Sequence, residues 1–296
     1  RDSSDSNPII KTETKNNPDG STTKTETRRD GSVTQTTTGK DGSVTKTETK
    51  KDGSSVTENK AADGSAGTVK TDKNGQTEAA AKVSGKAVED AKKNGEAVKV
   101  PVEVEATRNS STAPTVSIEL PKGAGETKVE IPVSNVTPGT VAVLVHPDGT
   151  EEILKDSIPT EDGIQLTVDG SATVKIVDNS KGFIDTQDHW AKDEISIAYN
   201  NGWITGYPDG TFDPQRDITR AETMTLVNRV LNRQPETEDD LLPNMTVWTD
   251  NANPKAWYYL AVQEATNSHY YKFKTNSKYE KWTELRETRD WTQLEK

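Results

Sequence analysis

The sequence predicts a multidomain chain. A polar β-repeat or disordered stalk covers residues 1–76, a small antiparallel β-rich (α+β) domain with a leading helix covers 77–180, and an all-α module covers 181–296. Three observations predict this. Glycines at 20, 31, 42, 53, 64 and 75 recur every 11 residues, each after Asp or, in the last case, after Asn74. Between Val98 and Val177, short β-branched runs alternate with Pro, Gly and Asp separators. Beyond Gly182 the apolar residues fall at helical spacing.

Composition limits how much of the chain can build a core. The length suggests about two domains, but apolar residues make up 29% and Phe occurs three times, so burial must be local. Lys and Arg number 37 against 48 Asp and Glu, a net charge of −11. The first 80 residues hold 13 of each sign, leaving 24 against 35 beyond them, so the acidic excess is C-terminal. No basic stripe offers itself to nucleic acid or to an anionic membrane. Cys is absent, which removes disulfides and thiolate chemistry and is compatible with secretion. No apolar run reaches transmembrane length. Because the sequence begins at Arg1 rather than Met, the start of the gene product, with any signal peptide, is expected upstream.

The repeat unit reads D-G-S-x-T-x-T-x-T, as in Asp41-Gly42-Ser43-Val44-Thr45-Lys46-Thr47-Glu48-Thr49. Asp-Gly between alternating β-branched residues is a hairpin signal, and a constant period marks an array of supersecondary units. Yet Thr alternates with Lys, Glu or Gln, leaving almost no apolar face. Cross-strand Thr contacts contribute about 0.2–1 kcal/mol each, against an ordering cost of about 1–2 kcal/mol per residue. Two outcomes stay open: a thin β-meander, or a largely disordered stalk serving as a low-complexity linker or O-glycosylated spacer. With one Asp per turn, the units lack the six or more oxygens of an ordered calcium site, so no metal is expected.

In the middle region Val83, Ala87 and Ala91, closed by Asn94-Gly95, predict one amphipathic helix. Strand character follows at Val98–Glu105, Thr115–Leu120, Lys128–Val133, Val141–His146, Glu152–Leu154, Ile164–Val168 and Thr173–Val177, divided by turn signals such as Pro147-Asp148-Gly149. His146 flanks a turn, and no second His, Cys or nucleophile accompanies it to make a catalytic site.

Beyond Gly182, Ala191, Ile195, Ala198 and Gly202 predict a helix from about Trp190 to Asn201, ended by Gly202. The turn-rich Gly206-Tyr207-Pro208-Asp209-Gly210-Thr211-Phe212 follows. Thr219-Arg220-Ala221-Glu222 then opens a second helix as a capping box, with Met224, Val227, Val230 and Leu231 as its apolar stripe. After a polar linker, Trp248-Thr249-Asp250 and the Trp257 helix repeat the opening of this unit. The turn and the capping box are then replaced by a Tyr-, Lys- and Trp-rich stretch holding Trp282, Arg286, Arg289 and Trp291. Such aromatics suit either a small core, which we favour, or a platform for sugar rings.

The pattern Phe183-x-Asp185, His189-Trp190-Ala191, Ile204-x-Gly206-Tyr207-Pro208-Asp209-Gly210-x-Phe212-x-Pro214 and Ile218-Thr219-Arg220-Ala221-Glu222 resembles the S-layer homology domain, with one full copy at 181–233 and a degenerate second at 234–296. More loosely, 136–180 resembles a module often found before such domains. The resemblance implies a secreted bacterial protein held non-covalently in the cell wall or S-layer by wall polysaccharide bearing pyruvylated sugars. By the same resemblance the glycan site takes Arg220, Gly206, Tyr207 and Asp209, with Asp185 and Trp190 shaping the groove wall. A guanidinium suits the task because its planar fork grips two carboxylate oxygens, and at a helix N-terminus it calls for a compensating anion. No cofactor is implied. No Asp/Glu pair stands on a scaffold recognisable as that of a glycosidase, so the expectation is an anchor rather than an enzyme. The alternatives are a structural S-layer or adhesin subunit, or the anchoring part of a larger glycan-active enzyme. Family members usually carry three repeats with grooves between them, and a homo-oligomer would supply the missing valence.

Overall fold

The computed structural model describes residues 6–275 and 277–294, Trp291 by its backbone alone. The chain forms two compact units, Arg1–Lys181 and Gly182–Lys296.

In the first unit seven strands run as an antiparallel meander: β1 (Ile9–Asn16), β2 (Thr22–Arg28), β3 (Val33–Thr38), β4 (Val44–Thr49), β5 (Ser55–Lys60), β6 (Ala66–Thr71) and β7 (Thr77–Lys82). The turns explain the regularity. Asp19, Asp30, Asp41, Asp52 and Asp63 each accept the backbone N–H of the Ser two residues on, at 2.8–2.9 Å. The intervening Gly takes a left-handed φ of 81° to 90°, so the side chain and the glycine reverse the chain together. Of the two outcomes open for the repeat, the thin meander is the one that forms. It is not free-standing, because β7 is also the parallel neighbour of β9 (Thr115–Glu119), with Ala79 opposite Val116 and Ala81 opposite Ile118. A packed domain thus provides the edge on which the polar strands add.

That domain holds α1 (Gly85–Asn94), β8 (Val98–Lys99), β10 (Glu126–Pro132), β11 (Thr140–Val145), β12 (Glu151–Ile153), β13 (Ile158–Pro159), β14 (Gly163–Asp169) and β15 (Ser171–Asp178). Its strands join an 11-stranded sheet, ordered β1-β2-β3-β4-β5-β6-β7-β9-β15-β11-β12, and a second sheet ordered β13-β14-β10-β8. Their alternation buries Ile118, Ile131, Ile164, Leu166, Val174 and Ile176 in one cluster. The predicted helix appears as α1, capped by the Ser84 hydroxyl and ended by Gly95 at φ 69°. Most pairings are antiparallel, but β7–β9 and β10–β8 are parallel. The Ala-rich Thr77–Lys82 is strand rather than helix because Ala79 and Ala81 alternate into the core.

The second unit holds α2 (Lys192–Asn200), α3 (Arg220–Val230), α4 (Tyr259–Thr266) and a hairpin of β16 (His269–Phe273) and β17 (Glu280–Leu285). The expected all-α module is therefore mixed: the Tyr-, Lys- and Trp-rich stretch pairs as strands, and Glu280 and Trp282 alternate inward on β17. Its core is small. Leu241, Tyr259 and Trp282 form one cluster, and Phe183 lies 4.5 Å from the Tyr199 ring and 5.4 Å from that of Phe212. The apolar stripe expected on α3 is not core, since Val227, Val230 and Leu231 are 44%, 38% and 62% exposed. The buried residue of α3 is Asn228, whose amide donates to the Ala261 carbonyl at 2.9 Å. Helical spacing shows that a helix has an apolar side; it does not show what packs there. Among the described residues no helix is long and apolar enough to cross a membrane.

Candidate functional site

The turn before α3 is built by carboxylates. Asp185 accepts the backbone N–H of Phe212 at 3.0 Å and of Asp213 at 2.7 Å, so it staples the start of the unit to the far end of the turn. The Phe212 N–H, foremost, holds its pKa below the usual carboxylate range. Asp209 accepts from the hydroxyl and the N–H of Thr211 at 2.6 Å and 3.0 Å, and the hydroxyl contact chiefly keeps its pKa low. Gly206 sits at φ 65°, where an added Cβ would fall 2.1 Å from the Phe183 ring. Close approach and backbone shape both require glycine here. Tyr207 is 40% exposed, with the Arg216 guanidinium 5.7 Å from its ring centre.

The capping box forms as the sequence predicts. Glu222 N–H donates to the Thr219 hydroxyl at 3.2 Å, and Thr219 N–H donates to the Glu222 carboxylate at 2.8 Å. That N–H, the Arg216 guanidinium and the Thr219 hydroxyl hold the Glu222 pKa down at about 2. Glu222 and Arg216 therefore occupy each other, while Arg220, one step into α3, has no carboxylate partner among the described residues.

Two clefts flank α3. One, of about 570 Å³, has Arg220, Ala221 and Met224 on one side and Trp248, Asp250, Tyr258, Val262 and Thr266 on the other. The Trp248 indole N–H donates to the Thr266 hydroxyl at 2.8 Å, which orients its ring. The other, of about 380 Å³, is lined by Gly206, Tyr207, Trp203, Arg229 and Trp257, among others. The structure thus separates the residues that the resemblance grouped. Arg220 faces one cleft and Gly206 and Tyr207 the other; Asp185 and Asp209 hold the turn; Trp190 is 87% exposed and lines neither. Sequence reasoning missed Trp248, Tyr258 and Thr266 as lining residues. For Trp248 a signal was present in the repeated aromatic-x-Asp of Trp248-Thr249-Asp250; Tyr258 and Thr266 had none.

Behind α4 lies a buried ion network. Glu264, His269 and Glu280 have ligand atoms within 4.8 Å of one another, a donor set that could hold a metal. Arg233 already supplies a cation, with Nε 2.6 Å from Glu280 and Nη2 2.8 Å from Glu264. His269 stacks on Trp282 at 3.9 Å, and its Nε2 lies 3.2 Å from each carboxylate. Burial alone would push His269 down, but hydrogen bonds to Glu264 and Glu280 outweigh it and raise its pKa to about 9. Two acidic side chains thus face the Arg233 guanidinium and the His269 ring, whose Nε2 also lies 2.9 Å from Arg233 Nη2.

Residues 182–224 match the S-layer homology domain. Cell surface glycoprotein 1 of Acetivibrio thermocellus is 45% identical over 64 residues, covering 22% of this chain and 3% of that one. The cellulosome-anchoring protein of the same organism is 36% identical over 88 residues, covering 30% and 18%. An S-layer protein of Bacillus thuringiensis subsp. finitimus is 40% identical over 45 residues, covering 15% and 6%. The matches thus span less than a fifth of these relatives' lengths. No solved structure matches the chain. Residues 182–224 are an S-layer homology domain, and with it the chain takes an extracellular place at the cell wall.

Proposed function

We propose, from the S-layer homology domain as premise, that the second unit anchors the chain non-covalently by gripping secondary cell-wall polysaccharide in the Arg220 cleft. One observation carries this: Arg220, with no carboxylate partner among the described residues, lines a cleft together with two aromatic rings and a carboxylate. The guanidinium receives the carboxylate of a pyruvylated sugar through two hydrogen bonds. Trp248 or Tyr258 stacks on the pyranose face, and Asp250 and Thr266 accept sugar hydroxyls. The N–H groups at the start of α3 favour the same anion. Gly206, Tyr207, Asp209 and Asp185 serve by setting the turn that aims α3. The role is binding rather than catalysis, in keeping with relatives named as anchoring and S-layer proteins.

Sedimentation of the whole chain with purified peptidoglycan-linked polysaccharide tests this, before and after mild acid removal of pyruvate. Arg220→Ala is expected to weaken binding at least tenfold, on the order of the 1.5–3 kcal/mol of a hydrogen bond to a charged group. Depyruvylated polymer should bind equally poorly to both proteins. Undiminished binding by Arg220→Ala would overturn the assignment.

A further inference from the structure

The two faces of the meander differ in charge. The registers place Thr23 opposite Thr37, Thr37 opposite Thr45, Thr45 opposite Asn59 and Asn59 opposite Gly67, which fixes one face across β2–β6. The 15 side-chain positions of that face carry nine Thr and no charge. Over the same strands the opposite face carries eight charged side chains, including the ion pairs Lys24–Glu26 at 2.7 Å and Lys46–Glu48 at 2.6 Å. The uncharged face ends at β1, which returns Lys11, Glu13 and Lys15 to it as a charged rim. In the other direction the same face continues through Gly67 and Ala81 to Ile118, where it becomes the aliphatic interior. Among the described residues of the first unit, the loop carbonyl of Pro101 reaches it at Asn59, 3.0 Å away, and the strands beyond lie uncovered.

We infer that this threonine face docks against the same face of a second copy of the chain. The charge distribution permits a copy: the acidic excess of the chain lies beyond residue 80, and on this uncharged face two copies meet without like-charge repulsion. Hydroxyls are self-complementary, each both donor and acceptor, so a Thr surface matches itself without a second chemistry. Continuity selects a sheet: farther along, this face is already covered by β10 and β14 of the second sheet. The area fits weak association. Pro101 and Val102 already cover Asn59 and Gly67, and Val69 packs on the core, so the free face is chiefly β2–β4, roughly 14 by 20 Å, and two such faces bury on the order of 600 Å², the scale of a weak, transient encounter. Anchoring at the wall brings copies together and raises their effective concentration.

The test is sedimentation velocity of the whole chain over a concentration series. The expected result is reversible, concentration-dependent dimerisation, weak as befits a small interface. Thr47→Lys, at the centre of the face, should weaken it at least tenfold through a buried unpaired charge. Thr34→Lys, on the charged face between Glu26 and Glu48, should leave it unchanged. Far-UV circular dichroism checks that both variants fold. Because the chain has no Cys, Thr47→Cys gives an independent reading: a bismaleimide reaching about 10 Å, the spacing of stacked sheets, should join two copies. Thr34→Cys should stay monomeric under the same treatment. A wild-type chain that stays monomeric throughout would overturn the inference, as would a dimer indifferent to Thr47→Lys or cross-linking equally from both positions. A monomer whose binding to neutral wall glycan falls in Thr47→Lys would assign the face to carbohydrate instead.

Discussion

Between its two sheets the unit of residues 1–181 buries an aliphatic cluster in which Ile118, Ile131, Ile164 and Ile176 are almost wholly inaccessible. In the unit of residues 182–296 the most deeply buried side chains include Gln263 and Glu280, joined by His269, Asp240, Asn228 and Glu264. Among its described residues the first unit buries no ionised side chain. The first interior is stabilised by removing apolar area from water, in proportion to that area and without direction. The second holds charges that are stable only while every partner stays in place. An aliphatic interior tolerates imperfect packing and loses stability by degrees, whereas an ion network fails at one atom.

Several substitutions would break this contrast, and all six tryptophans lie beyond residue 181, so Trp fluorescence follows the second unit alone, while the first unit is followed by the sheet component of the far-UV circular dichroism, to which α2–α4 add their own. The largest effect is expected from Glu280→Gln, which removes one of the two buried carboxylates that Arg233 and His269 share and leaves Glu264 alone to balance them. It should cost about 3–5 kcal/mol, lowering the urea midpoint by fluorescence and sparing the sheet transition. Ile164→Ala should do the reverse, costing about 2–5 kcal/mol in the circular dichroism transition alone. Equal movement of both transitions in either variant would sink the separation.

Alkaline titration comes next in size. His269 has a folded pKa of about 9 against an ordinary value of 6.5. A raised value means stabilisation that is complete below about pH 6.5, declines as pH rises, and is gone above about pH 9. The loss is on the order of 3 kcal/mol, read as a fluorescence midpoint falling between pH 7 and 9 while the sheet transition stays level. A flat profile would show that His269 is neutral in the fold. The smallest effect is that of Thr219→Ala, which removes the α3 cap for about 0.5–2 kcal/mol.

Much of the fold was legible because it rests on local chemistry. Each Asp-Gly-Ser turn is made by atoms two residues apart, as in Asp41 and Ser43, and the capping box by Thr219 and Glu222, three apart. The strands of the middle domain announce themselves by alternation, since a half-buried strand must place every second side chain in the core. The candidate site was legible in part. Arg220 was named from the sequence, but Trp248 and Tyr258, which line its cleft, come from the segment leading into α4, whose approach no periodicity encodes.

The sequence by itself determined the turn geometry of the repeat, the strand pattern from Val98 to Val177 and the start of α3, because backbone preference and near-neighbour hydrogen bonds decide each of them. Tertiary structure alone decided the rest. It ordered a meander whose own contacts are too weak, by giving β7 a packed parallel neighbour in β9. It exposed the apolar stripe of α3 and buried Asn228 instead. It also brought Arg233 to Glu280, 47 residues away, and to His269, 36 away. A pair of charges so far apart in the chain has no local signature, and becomes stabilising only when packing has removed the water that would otherwise satisfy each of them.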